Sequence, residues 1–523
     1  MRMRRTTIGI ALALGAMSVA LPRAAAATDT TGPYGAFGFT TQGLGRLGTA
    51  TGSYGEPSLA IAADGQHVVT STPGCGGVCY GYSADDGATF SKTVTPGGGG
   101  DSELDFLPNG TLVSADLAIK NSVMHYSTDF GATWTSAGTA GVEQDRQWLA
   151  HSPDGKTEYL VYHDFAAEAE FYAKSLDGGK TWNQQDGQTP ITPPSGLPGA
   201  APTPVTPPSD PSFVDQGVNT FSGPMLVDNN GTDIYVVYSI SNLESNLSPT
   251  TGVPPFGPTR GVILSHSPDG GTTWTSTYVV SAPVNPAGPA SEKTEGAIFP
   301  WATLDSAGNI YVVYNSTDDT DGTHFHQYYK YSSDKGATWS APVRLDISIP
   351  LTAGSSIYAT GMAGAPGILD VAWYQTDTGT PGTTNAADVW TPHFAQVTSA
   401  NTASPAVAEQ AVTTLPNHKA GICLQGILCG VGPGSSDRSL ADFFELAINP
   451  VTGMAEIAYA DNAGRNGVTG EVVFAKQTAG PSAVVPPANV PESRYLPVLP
   501  VLAVGAAGTV LWARRRRTRL SPH

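Results

Sequence analysis

The stretch Ser127-Thr-Asp-Phe-Gly-Ala-Thr-Trp134 decides the fold, because the chain repeats it. Further copies stand at Ser83–Phe90, Ser175–Trp182, Ser267–Trp274 and Ser332–Trp339, all of the form Ser-x-Asp-x-Gly-x-Thr-Trp/Phe. Five copies in one chain mark a structural unit used over and over. Each residue type has a mechanical role in a tight β-hairpin. The aspartates Asp85, Asp129, Asp177, Asp269 and Asp334 can accept hydrogen bonds from backbone N–H groups two residues on, and the glycine takes a positive φ that a Cβ disfavours. The threonine opens the outgoing strand, and the closing aromatic ring buries against the neighbouring sheet.

A pair of strands joined by a turn precedes each octapeptide, as in Ser58–Val69, Leu104–Ser114, Trp148–Tyr162, Met225–Tyr238 and Trp301–Tyr314. Two more pairs, Ile357–Tyr374 and Phe443–Tyr459, follow the last octapeptide, each with a third strand, Val389–Val397 and Glu471–Gln477. Short β-strands in repeated units of roughly 40–50 residues predict an all-β chain folded as a β-propeller. Seven units favour seven blades. Six blades stay open, since one unit can be divided between the chain ends to close the ring. The segments 188–217 and 279–296 interrupt the rhythm without any apolar period and are read as loops.

The ends say where the chain goes. Arg2, Arg4 and Arg5, the apolar run Ile8–Leu21 and the small residues Ala24–Ala26 predict a secretory signal over residues 1–27. Residues 496–513 are apolar and uncharged, and Arg514–Arg517 and Arg519 follow at once. At about 1.5 Å per residue this run can just cross a bilayer core of roughly 30 Å. The arginines set the orientation, with residues 514–523 in the cytoplasm and the propeller, residues 50–478, outside. A sorting signal later cut from the chain has the same pattern, and the prolines of 479–495 make a stalk.

Setting aside Arg2, Arg4, Arg5, Arg23 and the five tail arginines leaves 17 basic residues against 44 acidic ones, a net charge near −27. Such a surface repels phosphate backbones, which excludes nucleic acid as a partner. The four cysteines fall in two close pairs, Cys75 with Cys79 and Cys423 with Cys429. In an oxidising compartment these are local disulfides. A four-thiolate zinc site would call for C-x-x-C knuckles, and neither pair has that spacing.

The five octapeptides resemble the Asp-box of the bacterial-neuraminidase repeat, so residues of about 50 to 478 look like a sialidase-like propeller. The resemblance implies the architecture; the same boxes occur in sialidases, in other glycosidases and in non-enzymatic binding domains. A working sialidase would also need three arginines to clamp the sugar carboxylate, an aspartate as acid/base and a tyrosine nucleophile backed by a glutamate. The first of those arginines belongs in an Arg-Ile-Pro tripeptide ahead of the first box. Here the matching stretch is Ser53-Tyr-Gly-Glu-Pro-Ser-Leu59, without arginine, and Arg46 lies seven residues earlier.

Segments just before each first strand gather at the mouth of a propeller's channel. Several are charged here: Asp101 and Glu103, Asp145 and Arg146, Glu292 and Glu295, and Asp437, Arg438 and Asp442. The candidate set is Arg146 and Arg438 as carboxylate binders, with Asp145, Glu295 or Asp442 as acid or base. The alternative is that these are solvated charges or ion pairs between blades. Tyr162, Tyr238, Tyr314, Tyr374 and Tyr459 end successive second strands and could supply a nucleophile, although their recurrence speaks for packing. His324 and His326 share one face of a strand, a possible metal pair. The acidic turn Asp318, Asp319, Asp321 and Gly322 resembles half of a calcium loop and is where Ca²⁺ could bind; no cofactor is otherwise required.

Two functions follow as expectations. One is a cell-surface propeller, held in the membrane by its C-terminal helix, that recognises an extracellular glycan or protein without catalysis. The other is an exo-glycosidase of sialidase type acting on terminal sugars at the channel mouth. A purely structural spacer is the third possibility.

Overall fold

A computed structural model of the chain contains seven antiparallel sheets, one for each strand pair in the sequence. It describes residues 36–48, 54–118, 120–164, 169–183, 189–191, 218–243, 256–281, 296, 299–317, 322–381, 387–424, 437–468 and 470–484. The signal segment and the apolar C-terminal run lie outside these residues. Among the described residues no helix is long and apolar enough to cross a membrane.

The innermost strands of blades one to seven are Ser58–Ile61, Ser102–Phe106, Gln144–His151, Val218–Val227, Trp301–Leu304, Ser355–Ala363 and Glu445–Ile448. In the first six blades the chain moves outward strand by strand. Second strands are buried on both faces, because each blade is covered by its neighbours on both sides: Glu158–Asp164, Ile310–Ser316 and Ala455–Asp461 are buried at every position. The tyrosines at their ends, Tyr162, Tyr238, Tyr314, Tyr374 and Tyr459, are all buried. They pack between sheets, as their recurrence suggested.

The first six blades each take four consecutive strands, the sixth with the short strand His418–Lys419 added beside Val389 and Trp390, and the seventh is shared between the ends of the chain. Its outermost strand is Gly38–Gly43, which pairs antiparallel with Glu471–Ala479. The ring therefore has seven blades and is closed by an N-terminal strand that the repeat pattern did not reveal. The edges of both interrupting segments are also strands: Thr189–Pro190 completes the third blade, and Thr275–Ser281 the fourth.

The octapeptides join third to fourth strands, and their hydrogen bonding reaches further than expected. Asp129 Oδ1 accepts from the N–H of Thr133, four residues on, at 2.8 Å, and Oδ2 accepts from the Thr133 hydroxyl at 2.6 Å. Ser127 donates its hydroxyl to Asp129 and accepts from the Gly131 N–H. The same bonds recur around Asp85, Asp177, Asp269 and Asp334. The residue before the glycine is also left-handed, with φ of 57° at Asp86, 58° at Phe130 and 60° at Lys335. Glycine stands at that place in the third and fourth boxes, as Gly178 and Gly270.

The closing rings fasten each blade to the one before. Phe90 lies 5.2 Å from Phe474 of the seventh blade, Trp134 stacks 4.2 Å from Tyr80 of the first, and Trp274 lies 6.0 Å from Tyr172 of the third. Ring-to-ring packing between sheets is thus where the boxes act. These aspartates are structural.

Candidate functional site

At one end of the channel, the starts of the inner strands bring together charges from four blades, the first, second, third and seventh, and a tyrosine from the sixth. The backbone does this with two bulges. In the third blade the register slips between Asp145 and Gln147, leaving Arg146 at φ 43°. In the sixth it slips between Ile357 and Thr360, leaving Tyr358 at φ 56°. Glu56 at φ 49° and Ala441 at φ 59° flank the same mouth. Left-handed residues other than glycine are costly and persist where the surrounding structure holds them, commonly at functional sites.

Two layers can be distinguished. The inner one is built on Arg146, which is 1% exposed. Its guanidinium lies 3.6 Å from the ring centroids of both Trp148 and Phe443. One terminal nitrogen donates to Glu103 at 2.7 Å and lies 3.5 Å from Glu445; the other donates to the Ser102 carbonyl. Glu445 also accepts from the Ser58 hydroxyl and the Leu59 N–H. Burial, and the two glutamates' mutual repulsion, push the Glu103 carboxyl well up, and Arg146 pulls it partly back. Arg146 thus binds blades two, three and seven together, and its charge is spent within the protein.

The outer layer holds Glu56, Asp101, Asp145, Arg438 and Asp442, with Tyr358 beside them. Arg438 pairs with Asp442 and lies 3.6 Å from Glu56, whose Oε1 accepts the Asp442 N–H at 3.1 Å. Burial, then Asp101 and Asp442, push Glu56 well above the usual carboxylate range. Asp145 is pushed up to about 6 by burial and by Asp101, with His163 opposing and Asp442 adding. Asp442 is raised by burial against the pull of Arg438. The Tyr358 hydroxyl donates to the Cys423 carbonyl at 3.0 Å. Burial and the nearby carboxylates hold that phenol protonated.

Of the residues singled out in the sequence, Asp101, Glu103, Asp145, Arg146, Arg438 and Asp442 are brought together. Glu292 and Glu295 lie outside the described residues, as do Asp318, Asp319 and Asp321. Sequence reasoning missed Glu56, Glu445 and Tyr358. Glu56 sits within the Ser53–Leu59 stretch, where the family resemblance calls for an arginine and the sequence places a glutamate. His324 and His326 do not form a pair: His326 is buried against Asp346, 2.8 Å away, and Arg344, whereas His324 Nδ1 lies 2.8 Å from the Gly354 carbonyl oxygen. Cys75 and Cys79 form a disulfide. Cys423 is disulfide-bonded as well, and its expected partner Cys429 lies outside the described residues.

No family model matches the sequence, and no curated protein matches it. Among solved structures the chain is similar to a polysaccharide lyase, an ulvan lyase, at 11% identity over 83% of this chain and 95% of that one, TM-score 0.44. It is also similar to an α-L-arabinanase of Penicillium chrysogenum at 16% identity, covering 71% of this chain and 92% of that one, TM-score 0.38. A Hadza microbial sialidase is similar at 14% identity over 83% of this chain and 67% of that one, TM-score 0.35. The fold itself is the sialidase-like β-propeller, and it rests on the seven sheets and five Asp-boxes of this chain.

Proposed function

We propose that the protein is an exported, membrane-held propeller that recognises a glycan at this acidic mouth without turning it over. The five Asp-boxes carry the glycan class through their resemblance to sialidase-like proteins. The observation that carries the rest is the state of the two arginines. Arg146 is neutralised by Glu103 and Glu445, and Arg438 by Glu56 and Asp442. Arg146 is closed off from a sugar carboxylate, and Arg438, 34% exposed, meets any ligand with its charge already shared by two carboxylates. Glu56, Asp101, Asp145 and Asp442 instead offer acceptors to hydroxyl or ammonium donors, the groups of neutral and amino sugars. Tyr358 is no nucleophile in this reading, since its proton is held by the Cys423 carbonyl.

A second reading rests on Asp145. A carboxyl raised to about 6 beside other carboxylates is the arrangement a glycosidase uses to keep one acid protonated. Residues 28–490, tested on fluorogenic glycosides and on a glycan array, separate the two. The first reading expects retention of neutral or amino sugars and no hydrolysis. Turnover that is lost in Asp145→Asn would refute it in favour of the second, and retention of sialylated or uronate glycans alone would refute the reading of the arginines.

A further inference from the structure

A second group of ligating side chains lies away from the mouth, at the opposite ends of the same inner strands. Asp105 is on the inner strand of the second blade, His151 ends that of the third, and Glu158 faces His151 as its cross-strand partner. Six residues of extended chain separate His151 from Asp145, roughly 20 Å at about 3.4 Å per residue. His151 Nδ1 lies 2.7 Å from Asp105 Oδ2, and one ligand atom from each of the three residues lies within 4.8 Å of the others.

Glu158 is the unusual member. It is fully buried, and neither carboxylate oxygen receives a hydrogen bond from a donor. The group it faces is the Asp105 carboxyl, close enough that the two must share a proton where no cation lies between them. Among the described residues no lysine or arginine pairs with either; the nearby Lys156 is paired with Asp154. Bare buried carboxylate oxygens are rare because they forfeit hydration for nothing. Two carboxylates pointing at one spot, with an imidazole nitrogen beside them, leave a place for a cation.

We infer that Asp105, His151 and Glu158 form a divalent transition-metal site, of the kind zinc occupies, that ties the second blade to the third. Two carboxylate oxygens and one imidazole nitrogen are a zinc donor set, with a fourth position left for water. Calcium prefers oxygen ligands throughout and is disfavoured by the imidazole. His151 and Asp105 are partly exposed, at 29% and 18%, which opens a path for the ion and for its water. His151 Nδ1 donates its N–H to Asp105 in the empty site; on binding that proton leaves to solvent, and the Nδ1 lone pair it frees takes the metal.

The full chain, stripped with chelator and dialysed, is titrated with Zn²⁺, Mn²⁺ and Ca²⁺, with bound metal counted and thermal midpoints recorded. The inference expects one Zn²⁺ per chain and a midpoint raised by about 3 °C at a hundredfold excess over Kd. Glu158→Gln, which keeps the shape and removes the buried charge, should fold and lose both effects. His151→Ala should lose them also, while His67→Ala at a separate surface pair keeps them. Equal zinc binding in wild type and Glu158→Gln overturns the site, as does the absence of binding by wild type at millimolar Zn²⁺. A response to Ca²⁺ but not Zn²⁺ overturns the choice of metal.

Discussion

Replacing Arg146 by methionine tests the inner layer of the channel. Methionine fills a similar volume and suits the two flanking rings, so the substitution removes mainly charge. It breaks the pairs with Glu103 and Glu445 and the two ring contacts at 3.6 Å. Removing one partner of a buried ion pair costs about 3–5 kcal/mol. Glu103 and Glu445 are hydrogen-bonded to each other, so a shared proton returns part of this and the net falls at about 3 kcal/mol. The span Gly38–Ala479 unfolds with an entropy of roughly 0.9 kcal/mol/K, which makes the expected drop in thermal midpoint about 3 °C at pH 7.5. Both glutamates already titrate above their unfolded values. Without the cation the folded state holds protons that the unfolded chain has released, so the penalty grows as pH rises and shrinks toward pH 5. The assay is differential scanning calorimetry of wild type, Arg146→Met, Glu445→Gln and the double variant at both pH values. The reasoning is refuted if Arg146→Met costs the same at pH 5 and pH 7.5, or if it costs no less in the Glu445→Gln background.

The whole molecule should show a related pH response. Burial raises Asp145 to about 6, Asp116, Asp370 and Glu471 to about 7 and Glu456 to about 8, so stability falls as pH climbs from about 5 to 8. At the acid end, bonds from the Thr338 hydroxyl and N–H hold Asp334 down at about 2, and the other box aspartates are lowered too, so stability is also lost below about pH 4. A midpoint that rises steadily from pH 5 to 8 in scanning fluorimetry contradicts this. Equivalent box glycines should respond unequally to alanine. Gly131→Ala brings a Cβ to 3.3 Å from the end of the Val69 side chain, which must give by a few tenths of an ångström, and costs about 1–2 kcal/mol, mostly for its φ of 88°, whereas Gly87→Ala puts a Cβ 2.2 Å from Phe474 and costs about 2–5 kcal/mol. Equal denaturation midpoints for the two would show that the boxes do not press on neighbouring blades. Deleting residues 36–48 removes the outer strand of the seventh blade, and the expected result is loss of the cooperative melt or aggregation; an unchanged midpoint would mean that ring closure contributes little.

The fold was legible because its signal is local. Asp129, Ser127 and Thr133 satisfy one another within seven residues, so the pattern survives in the sequence wherever the turn does. The closing strand was not legible, for Gly38–Gly43 carries no box and finds its partner at the far end of the chain. The mouth was half legible. Loop charges such as Asp145 and Arg438 stood out, but their meaning depends on partners set by ring closure: Glu445 meets Ser58 across a separation of 387 residues. Tyr358 carries no sequence mark at all, since only the bulge after Ile357 turns it toward Asp442. Glu158 reads as an ordinary strand start, and only its bare oxygens set it apart.

The shared seventh blade also imposes an order on events. Gly38–Gly43 is among the first parts of the propeller to leave the ribosome, yet its partner Glu471–Ala479 is among the last. At synthesis rates of about 5–20 residues per second, the strand waits roughly 20–90 s with its backbone groups unmatched. Its sequence, Gly-Phe-Thr-Thr-Gln-Gly, carries a single large apolar side chain, which makes it a poor seed for aggregation during that interval. The first strand made is the latch, and six blades can form before there is anything for it to fasten.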